Sequence, residues 1–113
     1  EMTYPLILAK IPVKNPWEIF AYLPFGNWND CPDTPELMAA AKYWFQQHGA
    51  IPAAMSHDEL EFELPTPISK ERAMEVAVEQ YGFCPDLDQN EDGSIGSLAD
   101  VLWQSTVWYF WWD

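Results

Sequence analysis

Positive charge is scarce in this sequence: five lysines and arginines stand against 18 aspartates and glutamates, for a net charge of −13. So acidic a chain repels a phosphate backbone, which argues against direct binding of nucleic acid. Cysteine is scarcer still. Cys31 and Cys84 lie far apart and make no disulfide framework, so both thiols are expected to be free in a reducing cytoplasm. Long apolar runs are missing too. Leu6 to Ala9 is too short to span a bilayer and Lys10 follows at once, so no membrane association is expected. Secretory signals, phosphate-binding glycine loops, nucleotide fingerprints and a Ser-His-Asp pattern are all absent. Glu1 precedes Met2, so Met2 reads as the native start and Glu1 as an added residue.

What is present is apolar and aromatic: 49% of the 113 residues are hydrophobic and seven are tryptophan, which excludes intrinsic disorder. Residues 1–113 are expected to form one domain with one core. The acidity permits three readings: a basic protein partner, divalent cations, or solubility alone.

Prolines punctuate the elements. Leu6 to Val13 reads as a strand and Trp17 to Leu23 as a second extended segment. Phe25 to Asp33 reads as a loop. Thr34-Pro35-Glu36 is a helix start, with a capping hydroxyl, proline in the first turn and an early acid. That helix should present Leu37, Ala41, Trp44, Phe45 and His48 on one side and stop at Gly49. Ala50 to Met55 and Leu60 to Leu64 flank a turn at Ser56 to Glu59 and predict a hairpin. Leu60, Phe62 and Leu64 alternate with Glu61 and Glu63, so this strand should have one wet, acidic face. Ser69 should cap a second helix with the stripe Ala73, Met74, Ala77, Val78 and Tyr81, ended by Gly82. Ser97 to Asp100 resembles a capping box for a short third helix reaching about Trp103.

The aromatic run Trp108 to Trp112 should be the last strand. Being apolar on both faces, it is expected to be central and doubly buried; a partly exposed face would instead mark a partner surface. The sum is an α+β fold: a mostly antiparallel sheet with two main helices and one short helix packed on one face.

The combination of residues has a family look. Pro16-Trp17, Ala21 to Gly26, Trp28-Asn29 and Cys31-Pro32 are followed by Trp44, Gly49-Ala50, Glu79 to Tyr81, Cys84-Pro85-Asp86 and Gln89. Leu98-Ala99, Leu102 and Trp108 to Asp113 complete the set. Over nearly its whole length the chain resembles the bacterial domain-of-unknown-function family 4253 (DUF 4253). The resemblance implies fold and kinship; it carries no activity and so lends no catalytic residues. Between Gln89 and Gly96 the chain departs from that pattern with an acidic elaboration.

Three constellations could carry function. Asp88, Asn90, Asp92 and Ser94, with Gly93 and Ile95, match the opening positions of a calcium-binding loop, where a hard cation wants several oxygens from a tight turn. The twelfth position is Ala99 instead of a bidentate carboxylate, so calcium binding should be weak, and the alternative is a solvated turn. Cys31, Cys84, His48 and His57 lack the close spacing of zinc ligands. The paired Cys-Pro-Asp triplets shape two loops; if these meet, Trp28, Asn29, Cys31, Asp33, Cys84, Asp86 and Gln89 would line a polar cleft. Asp58, Glu59, Glu61 and Glu63 should form an acidic patch.

The leading expectation is a non-enzymatic, cytoplasmic interaction module of the immunity or inhibitor type, needing no cofactor and docking on a basic partner. The alternative is a small-molecule or metal-binding module, including an enzyme, using the cleft around Trp28, Cys31, Asp86 and Gln89.

Overall fold

In a computed structural model, residues 10–23, 25, 26, 31–89 and 95–112 are described, with backbone alone for 88 and 89. The expected first strand falls mostly outside these residues, and Lys10 to Val13 carry no regular structure. The second extended segment is a correction: Pro16–Ala21 is a 3₁₀ helix. Proline presets its first residue, and Asn15 Nδ2 donates to Glu18 Oε2 at 2.8 Å across the turn. Side chains three apart eclipse in such a helix, which puts Trp17 and Phe20 on one side. Phe20 is buried and Trp17 meets Phe45 at 5.4 Å between ring centres.

Helix α1 spans Thr34–His48. Its cap is Asp33, one residue before the expected Thr34, because a full capping box forms there: the Glu36 N–H donates to Asp33 Oδ1 and the Asp33 N–H to Glu36 Oε1. Gly49 ends the helix at φ 73°, a left-handed position that favours glycine, and its N–H bonds back to Phe45 and Trp44. Strands β1 (Ile51–Met55) and β2 (Glu59–Glu63) make the expected hairpin, irregular between Pro52 and Ala54.

Helix α2 spans Lys70–Phe83 and buries Ala73, Val76, Ala77 and Gln80. Its stripe is therefore rotated from the expected one, leaving Met74 and Val78 about half exposed at 51% and 53%. Polar Gln80 sits where a reading of hydrophobicity would not put it. Ser69 occupies the cap without a side-chain cap bond, and the helix passes Gly82 because Phe83 packs on Trp44, Phe110 and Trp112. A 3₁₀ turn over Pro85–Gln89 precedes α3 (Ile95–Leu102), which begins before Ser97, so Ser97 is within the helix and is not its cap.

Strand β3 (Val107–Trp111) pairs antiparallel with β2, giving the order β1-β2-β3. Among the described residues the aromatic strand is thus at one side of the sheet and not at its centre. The fold is α+β, with an antiparallel sheet whose Leu60, Phe62, Trp108 and Phe110 face the helices and are buried. The other face carries Glu59, Glu61, Glu63, Val107 and Tyr109. The pairing leaves alternate backbone groups of β3 directed away from β2, and several are occupied locally. The Ser105 hydroxyl serves both the N–H and the carbonyl of Val107, and the Cys84 thiol donates to the Trp111 carbonyl.

Trp44 is the junction of the core. It stacks on Phe110 with ring centres 5.6 Å apart and meets Phe62, Phe83 and Trp108 edge-on. Trp44→Ala should therefore destabilise the fold by about 3–5 kcal/mol, read from urea unfolding. A loss under about 1 kcal/mol, the scale of an ordinary surface substitution, would contradict the central role assigned to this ring.

Candidate functional site

The hairpin turn and the outer sheet face form the acidic site. Residues 59, 61 and 63 alternate with buried ones, so their carboxylates share one side of β2. Cross-strand partners on that side are Trp111, Tyr109 and Val107 in turn. Val107, Tyr109 and Ile51 are 44%, 40% and 39% exposed, so the acidic row is flanked by apolar and aromatic surface.

The turn is held by its own hydrogen bonds. Ser56 Oγ donates towards Asp58 Oδ1 and Glu59 Oε1, and accepts from the Glu59 N–H at 3.1 Å. Tyr109 Oη donates to Glu59 Oε2 at 2.7 Å, a charge-assisted bond. That bond, and after it Ser56, holds the Glu59 carboxyl below its usual range. Partial burial and then Glu59 push the Tyr109 phenol up, so it stays a donor at neutral pH. The ion pairs among the described residues are His57–Asp58 and Arg72–Glu75, so Glu59, Glu61 and Glu63 have no cation paired with them.

Of the residues of the expected cleft, Cys31, Asp33, Cys84 and Asp86 are described in full. Cys31 and Cys84 are buried and not joined in a disulfide, and the Cys31 thiol is near enough to act electrostatically on Cys84. The two Cys-Pro-Asp loops therefore do approach, but inside the core. Gly26 closes over the first of them at φ 92°; a Cβ there would collide with the Pro32 carbonyl. Asp33 serves as the α1 cap, and Asp86 is half buried. Trp28 and Asn29 lie outside the described residues, as does the Gln89 side chain.

Of the calcium candidates, Asp88 has only its backbone described, in the 3₁₀ turn, and Asn90, Asp92 and Ser94 lie outside the described residues. Ala99 is buried within α3, so the twelfth loop position faces the core. Among the described residues no three acids, cysteines or histidines gather as a metal site.

Sequence reasoning missed the polar seam between α1 and α2. Glu79 accepts from Tyr43 Oη at 3.1 Å and from Trp44 Nε1 at 3.2 Å. His48 sits at the end of this seam against Trp108, its Nε2 buried without a partner among the described residues. Burial, and after it Arg72, lowers the His48 pKa, while Glu79 and Glu75 act in the opposite sense. The one sequence signal for this seam was a glutamate bordering the buried stripe of α2; nothing local pairs it with a tryptophan 35 positions earlier.

A three-stranded antiparallel sheet with its helices on one face and an acidic row on the other defines a small α+β domain. The chain belongs to the family described as Domain of unknown function (DUF4253), whose model matches residues 7–113. No curated protein and no solved structure matches it. No helix among the described residues is long and apolar enough to cross a membrane.

Two outcomes follow from the buried groups. Burial pushes the Cys84 thiol up to about 12, so little thiolate exists at neutral pH. Native protein should react with a thiol reagent far more slowly than protein in denaturant, and equal rates would contradict the placement. For His48 the folded pKa lies below the unfolded one, so the unfolded chain takes up the proton first as pH falls. Stability should then decline as pH drops through roughly 6.5 and level off below the folded value. Urea midpoints between about pH 7.5 and about pH 5.5 should fall less in His48→Gln than in the parent. The same fall in both would remove His48 as the cause.

Proposed function

We propose that this domain is a non-enzymatic protein-interaction module, bacterial and cytoplasmic, of the immunity or inhibitor type, which docks its outer sheet face on a basic protein. The observation that carries the reading is the row Glu59, Glu61, Glu63, unpaired with any cation among the described residues and bordered by exposed Val107, Tyr109 and Ile51. Carboxylates two positions apart on a strand stand roughly 7 Å from one another, so their mutual repulsion opposes folding locally. A basic partner would relieve that repulsion, while the aromatic and aliphatic border would supply desolvated contact area. The net charge of −13 would steer the encounter at low salt. A weak calcium site at Asp88, Asn90, Asp92 and Ser94 is compatible with this role as a loop-ordering element.

The test compares wild-type protein with Glu61→Lys/Glu63→Lys as bait in lysate of the source cells. A control bait carries Glu71→Lys/Asp100→Lys, on exposed positions of α2 and α3, and so has the same net charge. A specific partner should be retained by wild type and control, lost with the sheet-face variant, and released as salt shortens the Debye length from about 8 Å to about 3 Å. Folding of the variant should be intact, because the reversal removes like-charge repulsion. Equal retention by all three baits would leave the acidic face as a solubilising surface and sink the proposal.

A further inference from the structure

A cavity of about 180 Å³ lies between α2, α3 and β3. Gln80 and Trp108 lie at its inner side, Leu87, Leu98 and Leu102 wall it, and Tyr109 borders it. Its size exceeds by an order of magnitude the roughly 10–15 Å³ that one water needs, and stays below the roughly 300 Å³ at which drug-sized pockets begin. Such a space suits a compact molecule.

The polar groups on its inner side are unusual. Gln80 is 1% exposed, the single polar residue fully buried among those described, and its amide Nε2 has no hydrogen-bond partner among them. Trp108 is likewise 1% exposed with an unpartnered indole Nε1. Buried polar groups are nearly always paired, and two of the six exceptions among the described residues belong to side chains that line this one cavity. An indole N–H only donates, so whatever completes it must accept. Among the described residues no charged side chain lines the cavity, so none of them would offset the desolvation of an ionic ligand, and the net charge of −13 opposes an anion further.

We propose that this cavity binds a compact neutral molecule carrying a carbonyl or ring-nitrogen acceptor. Its apolar body rests on the three leucines and its acceptor takes the N–H groups of Gln80 and Trp108. Both nitrogens are buried, so binding requires the Gln80 amide to turn and the packing beside Trp108 to widen. Tyr109 borders both this cavity and the acidic row, but the test involves no protein partner, so either reading can fail without the other.

Caprolactam is a suitable probe: a neutral ring with one amide carbonyl. Titrated into ¹⁵N-labelled protein, it should shift the Trp108 indole resonance saturably, with a dissociation constant on the order of millimolar. Gln80→Leu removes an unpaired buried amide, so it should fold, and it should weaken binding by about three- to tenfold. Leu98→Trp should fill the cavity and abolish the shift; if it does not fold, Val101→Trp at the half-exposed rim serves the same purpose. Cyclohexanecarboxylate, similar in size but anionic, should bind more weakly than caprolactam. The proposal is overturned by no saturable shift in the parent protein, by equal affinity in Gln80→Leu, or by equal affinity for the anion.

Discussion

The fold depends on the placement of one side chain. Trp44 enters the sheet from α1 and touches Phe62 on β2, Trp108 and Phe110 on β3, and Phe83 at the end of α2. Such a ring contributes mainly by the area it removes from water, with roughly 0.5–1.5 kcal/mol more for each well-oriented aromatic pair. It also carries a polar N–H into a dry place, and that is where the constraint tightens. The N–H is satisfied by Glu79 at 3.2 Å, so α2 must present a carboxylate at the edge of the core. Tyr43 donates to the same carboxylate from the solvent side. The register of α2 on α1 is thereby defined by a hydrogen bond as well as by shape, since a shift of one residue would leave a buried donor unmet.

This constraint explains the rotated stripe of α2. With Glu79 aimed at α1, the residues facing inward are Ala73, Val76, Ala77 and Gln80. Two of the four are alanines, which let α2 come close to α3. Met74 and Val78 are carried outward although both are more hydrophobic than Gln80. The passage through Gly82 has the same origin. Phe83 has to reach Trp44 at 4.9 Å between ring centres, and an earlier stop would lift it away.

Periodic elements could be read from the sequence and exceptions to periodicity could not. The hairpin, with Leu60 and Phe62 alternating against Glu61 and Glu63, declares its two faces because the strand period is two. α1 declares itself through proline, an early acid and Gly49, and only its cap was displaced by one residue. The segment Trp17 to Leu23 was misread because Trp17, Ile19 and Ala21 alternate like a strand, while Pro16 and the Asn15–Glu18 bond favour a turn of period three. The last strand's composition describes burial on both faces, whereas its burial is one-sided: Trp108 and Phe110 are inside, and Val107 and Tyr109 are at the surface. The acidic row was legible from the same alternation. The Glu79 seam and the Gln80 cavity were not, because each depends on contacts between residues about 28 to 36 positions apart.

The two sides of the sheet obey different rules. On the inner side, rings interlock with centres between 4.9 and 6.2 Å, and packing of that kind tolerates little change in volume. On the outer side, each carboxylate stands in or near water and its replacement should alter stability by under about 1 kcal/mol. Substitution on the outer face could therefore proceed while the core stays constant. Tyr109 is where the two regimes meet. Its strand neighbours are the buried Trp108 and Phe110, and its hydroxyl ties to Glu59 at 2.7 Å. A partner that captured Glu59 would compete for that hydroxyl. The ring also borders the Gln80 cavity.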